Sequence, residues 1–265
     1  MNNLSISSNQ ITLKQGDNSL DFLGVSFKEI YITNEVNSNS SLLIKNLQDV
    51  NCLKIDIKEN SQLTLSVLFE KQGDNLEIQA GVSRDSTLVA YFADFSKDLI
   101  NLNCVVNLKE NNASSFIKVA SLSSNKDDKN ISISINHLAP QTYGKVDSYG
   151  VCKDSGRLLF AGTSHIFEKA IKSKTQQNAK IMVFDEASNA IAKPILKIDE
   201  NDIEASHAAV VGKINDEHLF YLTSRGISEA DAKQLITLGY LKPILAGFSD
   251  NSTREYISSL IERRM

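Results

Sequence analysis

Tryptophan is absent from this sequence of 265 residues, and proline and cysteine each occur only three times. Cys52, Cys104 and Cys152 are far apart and form no CxxC pair, which excludes a zinc ribbon and a thioredoxin-type redox centre. So sparse a set suits a reducing compartment. No run of eighteen apolar residues occurs, so no segment reads as a membrane span. The opening MNNLSISSNQ has neither a basic nor an apolar stretch and does not read as a secretory leader; a cytoplasmic location is expected. The 28 basic and 32 acidic residues leave a net charge of −4, which argues against a nucleic-acid-binding surface. The phosphate-loop pattern is missing, because Gly212-Lys213-Ile214 lacks both the loop and the hydroxyl. GxGxxG, GxSxG and HExxH are missing too, so the chain is expected to be no enzyme.

What is present is alternation. Leu53, Ile55 and Ile57 alternate with Lys and Asp; Leu63, Leu65, Val67 and Phe69 do the same, as do Ile131, Ile133 and Ile135. This period of two predicts strands with one buried face. Turn clusters such as Gly73-Asp74-Asn75, Asn111-Asn112 and Ser123-Ser124-Asn125 separate them. Strand starts recur about every 10 to 14 residues, an all-β spacing. Sandwich, barrel and parallel β-helix all fit it. The absence of Asn-Gly and Asp-Gly, the dipeptides of tight hairpins, favours the β-helix, in which turn Asn and Ser stack between coils. No exact repeat is visible.

Strand character is expected over residues 1–225, and a helical region over 226–265. Ser228-Glu229-Ala230-Asp231 and Ser252-Thr253-Arg254-Glu255 read as capping boxes of two short amphipathic helices. Such an ending fits either a lid over the last coil or a docking face for a partner.

The acid pairs Asp127-Asp128 and Asp199-Glu200 read as solvated turns. Of the four histidines, His137 reads as a strand end, His165 as a strand residue and His218 as an exposed turn residue. His207 stands among small neighbours in Ala205-Ser206-His207-Ala208, where another molecule can reach it.

The stretch from Phe160 to Tyr240 resembles the SufB/SufD family, scaffolds of the Suf iron–sulfur cluster assembly system. The blocks that carry the resemblance are Leu159-Phe160-Ala161-Gly162, Thr175-Gln176-Gln177-Asn178, Pro194-Ile195-Leu196-Lys197-Ile198, Ser206-His207-Ala208-Ala209 and Leu219-Phe220-Tyr221-Leu222-Thr223-Ser224-Arg225-Gly226-Ile227. His137-Leu138-Ala139-Pro140-Gln141-Thr142 resembles an upstream element of the family. The resemblance covers about the last 130 residues; the first 130 match in strand character only.

The resemblance implies a right-handed parallel β-helix with a small C-terminal helical region. It implies a non-catalytic scaffold that pairs with a SufB-like scaffold or with itself and carries a SufC-type ATPase on its C-terminal helices. No cofactor is expected to be stably bound by the chain alone, while a transient iron–sulfur cluster can form in the complex. Ala179 stands where SufB-like members have a cysteine, and Ser206-His207-Ala208 where they have Glu-His-Glu, so the chain looks SufD-like and short, without the N-terminal helical extension of longer members. His207 becomes the candidate iron or cluster ligand, since neutral imidazole binds iron. Leu219, Phe220, Tyr221, Arg225, Gly226, Leu235, Ile236 and Tyr240 become the candidate ATPase-binding residues. No nucleic acid or membrane partner is expected. The alternative is a carbohydrate-active β-helix enzyme such as a lyase, which needs clustered acids or bases on one face; none stands out in the sequence.

Overall fold

A computed structural model describes residues 2–265 except 5, 7, 24, 25, 48, 49, 70–73 and 98, so Gly73 of the expected Gly73-Asp74-Asn75 turn lies outside the described residues. The strands are β1 (Asn2–Asn3), β2 (Gln10–Leu13), β3 (Gly16–Asp21), β4 (Glu29–Asn34), β5 (Asn39–Lys45), β6 (Cys52–Ile57), β7 (Gln62–Phe69), β8 (Asp74–Val82), β9 (Thr87–Asp94), β10 (Leu99–Leu108), β11 (Ser114–Ser124), β12 (Asp128–His137), β13 (Tyr143–Lys153), β14 (Arg157–Ile166), β15 (Lys174–Val183), β16 (Asn189–Ile198) and β17 (Glu204–Lys213). Odd-numbered strands form a nine-stranded sheet and even-numbered strands an eight-stranded one, each in chain order. Every pairing is parallel, for example β10 with β12 and β11 with β13. The chain therefore coils, each coil giving one strand to each sheet, as the missing hairpin dipeptides suggested.

Between the sheets runs a lumen filled by the alternating apolar residues. One column reads Leu42, Leu65, Ala90, Ile117, Val146, Gln177 and His207 in register. On the facing sheet Ile32, Ile55, Ala80, Val106, Ile135 and Ser164 stack likewise. Apolar burial along these columns is the main stabilising term, at about 25 cal/mol per Å². One ion pair interrupts it: Lys129 and Asp94 are both buried, 3.0 Å apart, with the Ser96 and Ser121 hydroxyls completing their hydrogen bonds.

The turn residues stack as expected. Asn37, Asn60, Asp85 and Asn112 all have positive φ, the left-handed region that Asn and Asp tolerate best. Their N–H groups donate to the next coil, Asn37 to the Glu59 carbonyl and Asn60 to that of Arg84. Beside them Ser38 N–H donates to Ser61 Oγ at 3.2 Å, and Ser61 N–H to Ser86 Oγ at 3.1 Å. Each corner thus satisfies the backbone groups that a bend would otherwise bury unpaired.

Strand character ends sooner than expected. Residues 216–224 form helix α1 (Asp216–Ser224), followed by α2 (Glu229–Leu241), a 3-10 turn (Lys242–Gly247) and α3 (Asn251–Glu262). The expectation of strand up to residue 225 is corrected here. Asn215 caps α1, its side chain accepting from the N–H groups of Glu217 and His218, and two acids in the first turn favour the dipole. Ser228 caps α2 as expected. The cap of α3 is Asp250 rather than Ser252, and its carboxylate accepts from Ser252 N–H at 3.2 Å and Thr253 N–H at 2.9 Å. An ionised acceptor makes the stronger hydrogen bonds to such orphan N–H groups.

The helical region does not cap the open end of the last coil. Leu241, Ile244, Phe248, Ile257 and Ile261 pack on the outer side of the nine-stranded sheet, against Leu43, Leu68, Ala93, Leu122, Val151 and Met182. The lid reading is thereby corrected: α2, the 3-10 turn and α3 lie along the flank. Gly247 permits the contact, because a Cβ there would fall 2.1 Å from the Tyr91 ring. At the far end Arg264 pairs with Asp127 and donates to the Phe95 carbonyl at 3.1 Å. Asp127 is buried by this pairing, which corrects its reading as a solvated turn charge.

Candidate functional site

The last coil is open. β17 pairs with β15 on one side and, among the described residues, with no strand on the other; β16 likewise ends the eight-stranded sheet. Both edges keep free main-chain N–H and C=O groups, a template for another strand. Apolar side chains around them, Val210, Val211, Ile191 and Ile198, are exposed, Val210 by 58 %.

His207 lies on this coil. Its register partner Gln177 belongs to the buried set of β15 with Thr175, so His207 is on the lumen side of the strand, at the head of the Leu42–Gln177 column. The imidazole is exposed, and no side-chain hydrogen bond ties it to the described residues. Nor do three or more His, Cys, Asp or Glu residues gather anywhere among the described residues in a way that could hold a metal. Ala179, at the position of the expected branch difference, is the partner of Ala209.

Below His207 the lumen turns polar. Gln177 Nε2 donates to Ser164 Oγ at 2.7 Å and to the Ile195 carbonyl at 3.1 Å, while its Oε1 is buried without a partner among the described residues. Gly162 makes room for that amide, since a Cβ there would fall 2.7 Å from Oε1. A small void of about 20 Å³ lies beside it, lined by Ser148, Gly162, Ala179 and Pro194 among others. Gln177 and Gly162 belong to family-like blocks of the sequence, and their shared place inside the lumen follows from coil register.

A second feature adjoins this end. α1 and α2 overhang β15 and β17 and leave a mostly apolar groove of about 730 Å³ between Met182, Val210, Tyr221, Leu222, Leu235 and Tyr240. The candidate docking residues divide across it. Phe220 and Tyr221 are exposed, Phe220 by 73 %, and Leu235 by 50 %, whereas Leu219 is half-buried. Ile236 and Tyr240 turn inward onto the flank core. Tyr240 meets Tyr149 edge-on at 5.9 Å, and burial pushes its phenol up to about 12. Arg225 lies 5.3 Å over the Tyr221 ring. Gly226, with φ of +89°, ends α1 in a conformation that costs a side chain, and so sets the turn into α2.

The other histidines are placed elsewhere. His137 is fully buried and hydrogen-bonded through Nδ1 to Thr142 Oγ1 at 2.8 Å. His165 lies in β14, stacked on Phe167 and bonded to Asp199 at 2.6 Å, a pairing that sequence spacing does not reveal. His218 is exposed in the first turn of α1.

Comparison with known proteins agrees with this architecture. Residues 16–240 match the family described as the SufBD core domain of the SUF system of iron–sulfur cluster assembly. The chain is 34 % identical over 137 residues to the iron–sulfur cluster assembly protein SufD of Bacillus subtilis, covering 52 % of this chain and 31 % of that protein. It is 31 % identical over 115 residues to SufD of Escherichia coli, 43 % of this chain and 27 % of the relative. Its similarity to SufB of Bacillus subtilis is 34 % over 107 residues, 40 % of this chain and 23 % of that protein. The matched segments thus span about a third or less of these relatives' own lengths.

Proposed function

The chain belongs to the SufB/SufD family of iron–sulfur cluster assembly proteins, and from that premise we propose that it is a non-catalytic, SufD-like scaffold subunit working in the cytoplasm. Its open coil seats a second scaffold, SufB-like or a second copy of itself. The unpaired edge of β17 supplies main-chain hydrogen bonds to that partner, and Val210, Val211, Ile191 and Ile198 supply apolar contact. The SufD-like assignment rests on Ala179 and Ser206-His207-Ala208, where a SufB-like chain carries cysteine and acids.

The observation that carries this reading is the position of His207, exposed on the lumen side of a terminal strand whose outer edge pairs with no strand among the described residues. The nascent iron–sulfur cluster is cargo. Alone, His207 is one ligand without companions among the described residues. Clusters are held mainly by thiolates, so the partner scaffold supplies cysteine and His207 supplies imidazole across the joint. The chain by itself then holds no stable cluster.

The SufC-type ATPase docks on α1 and α2. Phe220, Tyr221 and Leu235 form the contact surface. Arg225 and Gly226 set its shape, Ile236 and Tyr240 support it from the solenoid side, and half-buried Leu219 completes the set. Co-expression of the tagged chain with a SufC-type ATPase and a SufB-like scaffold tests the reading. Recovery of an ATPase-containing complex supports it; a chain that purifies alone under these conditions contradicts it.

A further inference from the structure

α2, the 3-10 turn and α3 pack on the nine-stranded sheet, and the outer face of the eight-stranded sheet holds a trough of about 540 Å³ near the N-terminal end. Register places Thr12, Thr33, Asp56, Gly81 and Asn107 in one row across β2, β4, β6, β8 and β10. Gln10, Tyr31, Lys54 and Gln79 form the row beside it. Lys58 and Lys109 stand on the other side. At 4.7–4.9 Å per strand the trough is roughly 19 Å long.

Its charge is unbalanced. Asp56 is shared by two ammonium groups, Lys58 at 2.5 Å and Lys109 at 3.2 Å. One carboxylate thus offsets two cations, while Lys54 is offset by Glu29. Lys109 reaches this place by lying across Gly81, where a Cβ would fall 2.2 Å from its Nζ. Glycine there lets the ammonium settle against the sheet. Lys58 is two residues from Asp56 in sequence, whereas Lys109 meets them only because the coils stack, so the cluster does not stand out in the sequence.

Beside the cations is a flat apolar surface. The Tyr31 ring is 40 % exposed, with Lys54 Nζ 5.1 Å from its centre. The amides of Gln10, Gln79 and Asn107 line the same trough. An aromatic face suits the C–H side of a sugar ring, amides suit its hydroxyls, and paired ammonium groups suit an anionic substituent. We propose that this trough binds an acidic saccharide, a hydroxylated ring carrying a carboxylate or a phosphate. This site lies on a different face from the scaffold surfaces and does not depend on that reading.

The test is calorimetric titration of the full chain with trigalacturonate, glucose 6-phosphate and neutral maltotriose at low salt. The expected result is saturable binding of at least one acidic probe, at least tenfold tighter than maltotriose. The tighter of the two acidic probes identifies the anion. Lys58→Gln with Lys109→Gln should weaken that binding tenfold or more, and so should Tyr31→Ala, each with an unchanged circular dichroism spectrum. These residues are on the surface, so the variants fold. Absence of saturable binding by either acidic probe overturns the proposal, as does equal binding of maltotriose or binding that survives the lysine changes. Loss in the lysine variant with Tyr31→Ala unchanged overturns the saccharide assignment, leaving only an anion site.

Discussion

His207 is the register partner of Gln177, so the one exposed histidine of the terminal strand continues the column whose lower members are Leu42, Leu65, Ala90, Ile117 and Val146. An apolar column that changes to glutamine and then to histidine at an open coil is a core giving way to a surface. On the facing sheet the polar step is confined to the coil below, where Ser164 follows Ile135, and the last coil returns to Leu196. The nine-stranded side of the open end thus presents a group that can bond to another molecule.

Since His207 is exposed and carries no side-chain hydrogen bond to the described residues, His207→Ala should change stability by no more than about 0.5 kcal/mol. Urea unfolding of the variant beside the parent measures this. A loss of several kcal/mol would assign the histidine a structural role instead.

Docking of the ATPase should respond to the exposed members of the helical surface. Phe220→Asp with Leu235→Asp should abolish co-purification while leaving the melting temperature nearly unchanged, because both side chains are largely in solvent. Ile236→Asp is a poorer probe: Ile236 packs on the flank core, so a charge there loosens α2 itself. An ATPase still retained by the folded double variant would remove α1 and α2 from the docking surface.

The buried pair Lys129–Asp94 should be costly to break and cheap to replace. Lys129→Met leaves a carboxylate in the lumen with the Ser96 and Ser121 hydroxyls and the Ser96 N–H as partners but no countercharge, a loss of about 3–5 kcal/mol. Adding Asp94→Leu should recover most of it. Equal destabilisation in the single and double variants, read from urea midpoints, would show that packing rather than charge decides this site.

His137 should make stability fall on acidification. Burial lowers its imidazole from 6.5 to about 4, and Nε2 has no hydrogen-bond partner among the described residues. Between pH 6.5 and 4 the unfolded chain binds a proton that the folded chain refuses, so the contribution is fully present above pH 6.5 and is lost as pH drops toward 4. The size is on the order of 3 kcal/mol. His137→Gln should flatten this dependence between pH 7 and 4.5 in thermal melts; an unchanged slope would trace it to other groups.

Most of the solenoid is legible in the sequence because each strand has one buried face. Leu53, Ile55 and Ile57 alternate for that reason, and the Asn and Ser corners announce themselves by residue type. The repeat is hidden because the coils lengthen: Leu42 and Leu65 are register partners, and so are Val146 and Gln177, at a wider spacing. α1 is missed because Leu219-Phe220-Tyr221-Leu222 favours a strand by propensity, and only the Asn215 cap argues for a helix. The flank position of α3 is not written in its periodicity, which says that one face is buried and not against what. His207 is found through its small neighbours and the family block, whereas the trough around Asp56 needs coil register to bring distant Lys109 beside Lys58.

The proposed role of His207, a ligand for the nascent cluster across a joint between two scaffolds, is open to direct measurement. Iron–sulfur cluster yield per assembled complex, reconstituted with His207→Ala and compared with the parent at equal complex concentration, tests it most directly. A ligand role predicts intact pairing and ATPase binding with the yield reduced several-fold, and partial recovery in His207→Cys, where a thiolate replaces the imidazole. A parent-like yield in a fully assembled His207→Ala complex would contradict it.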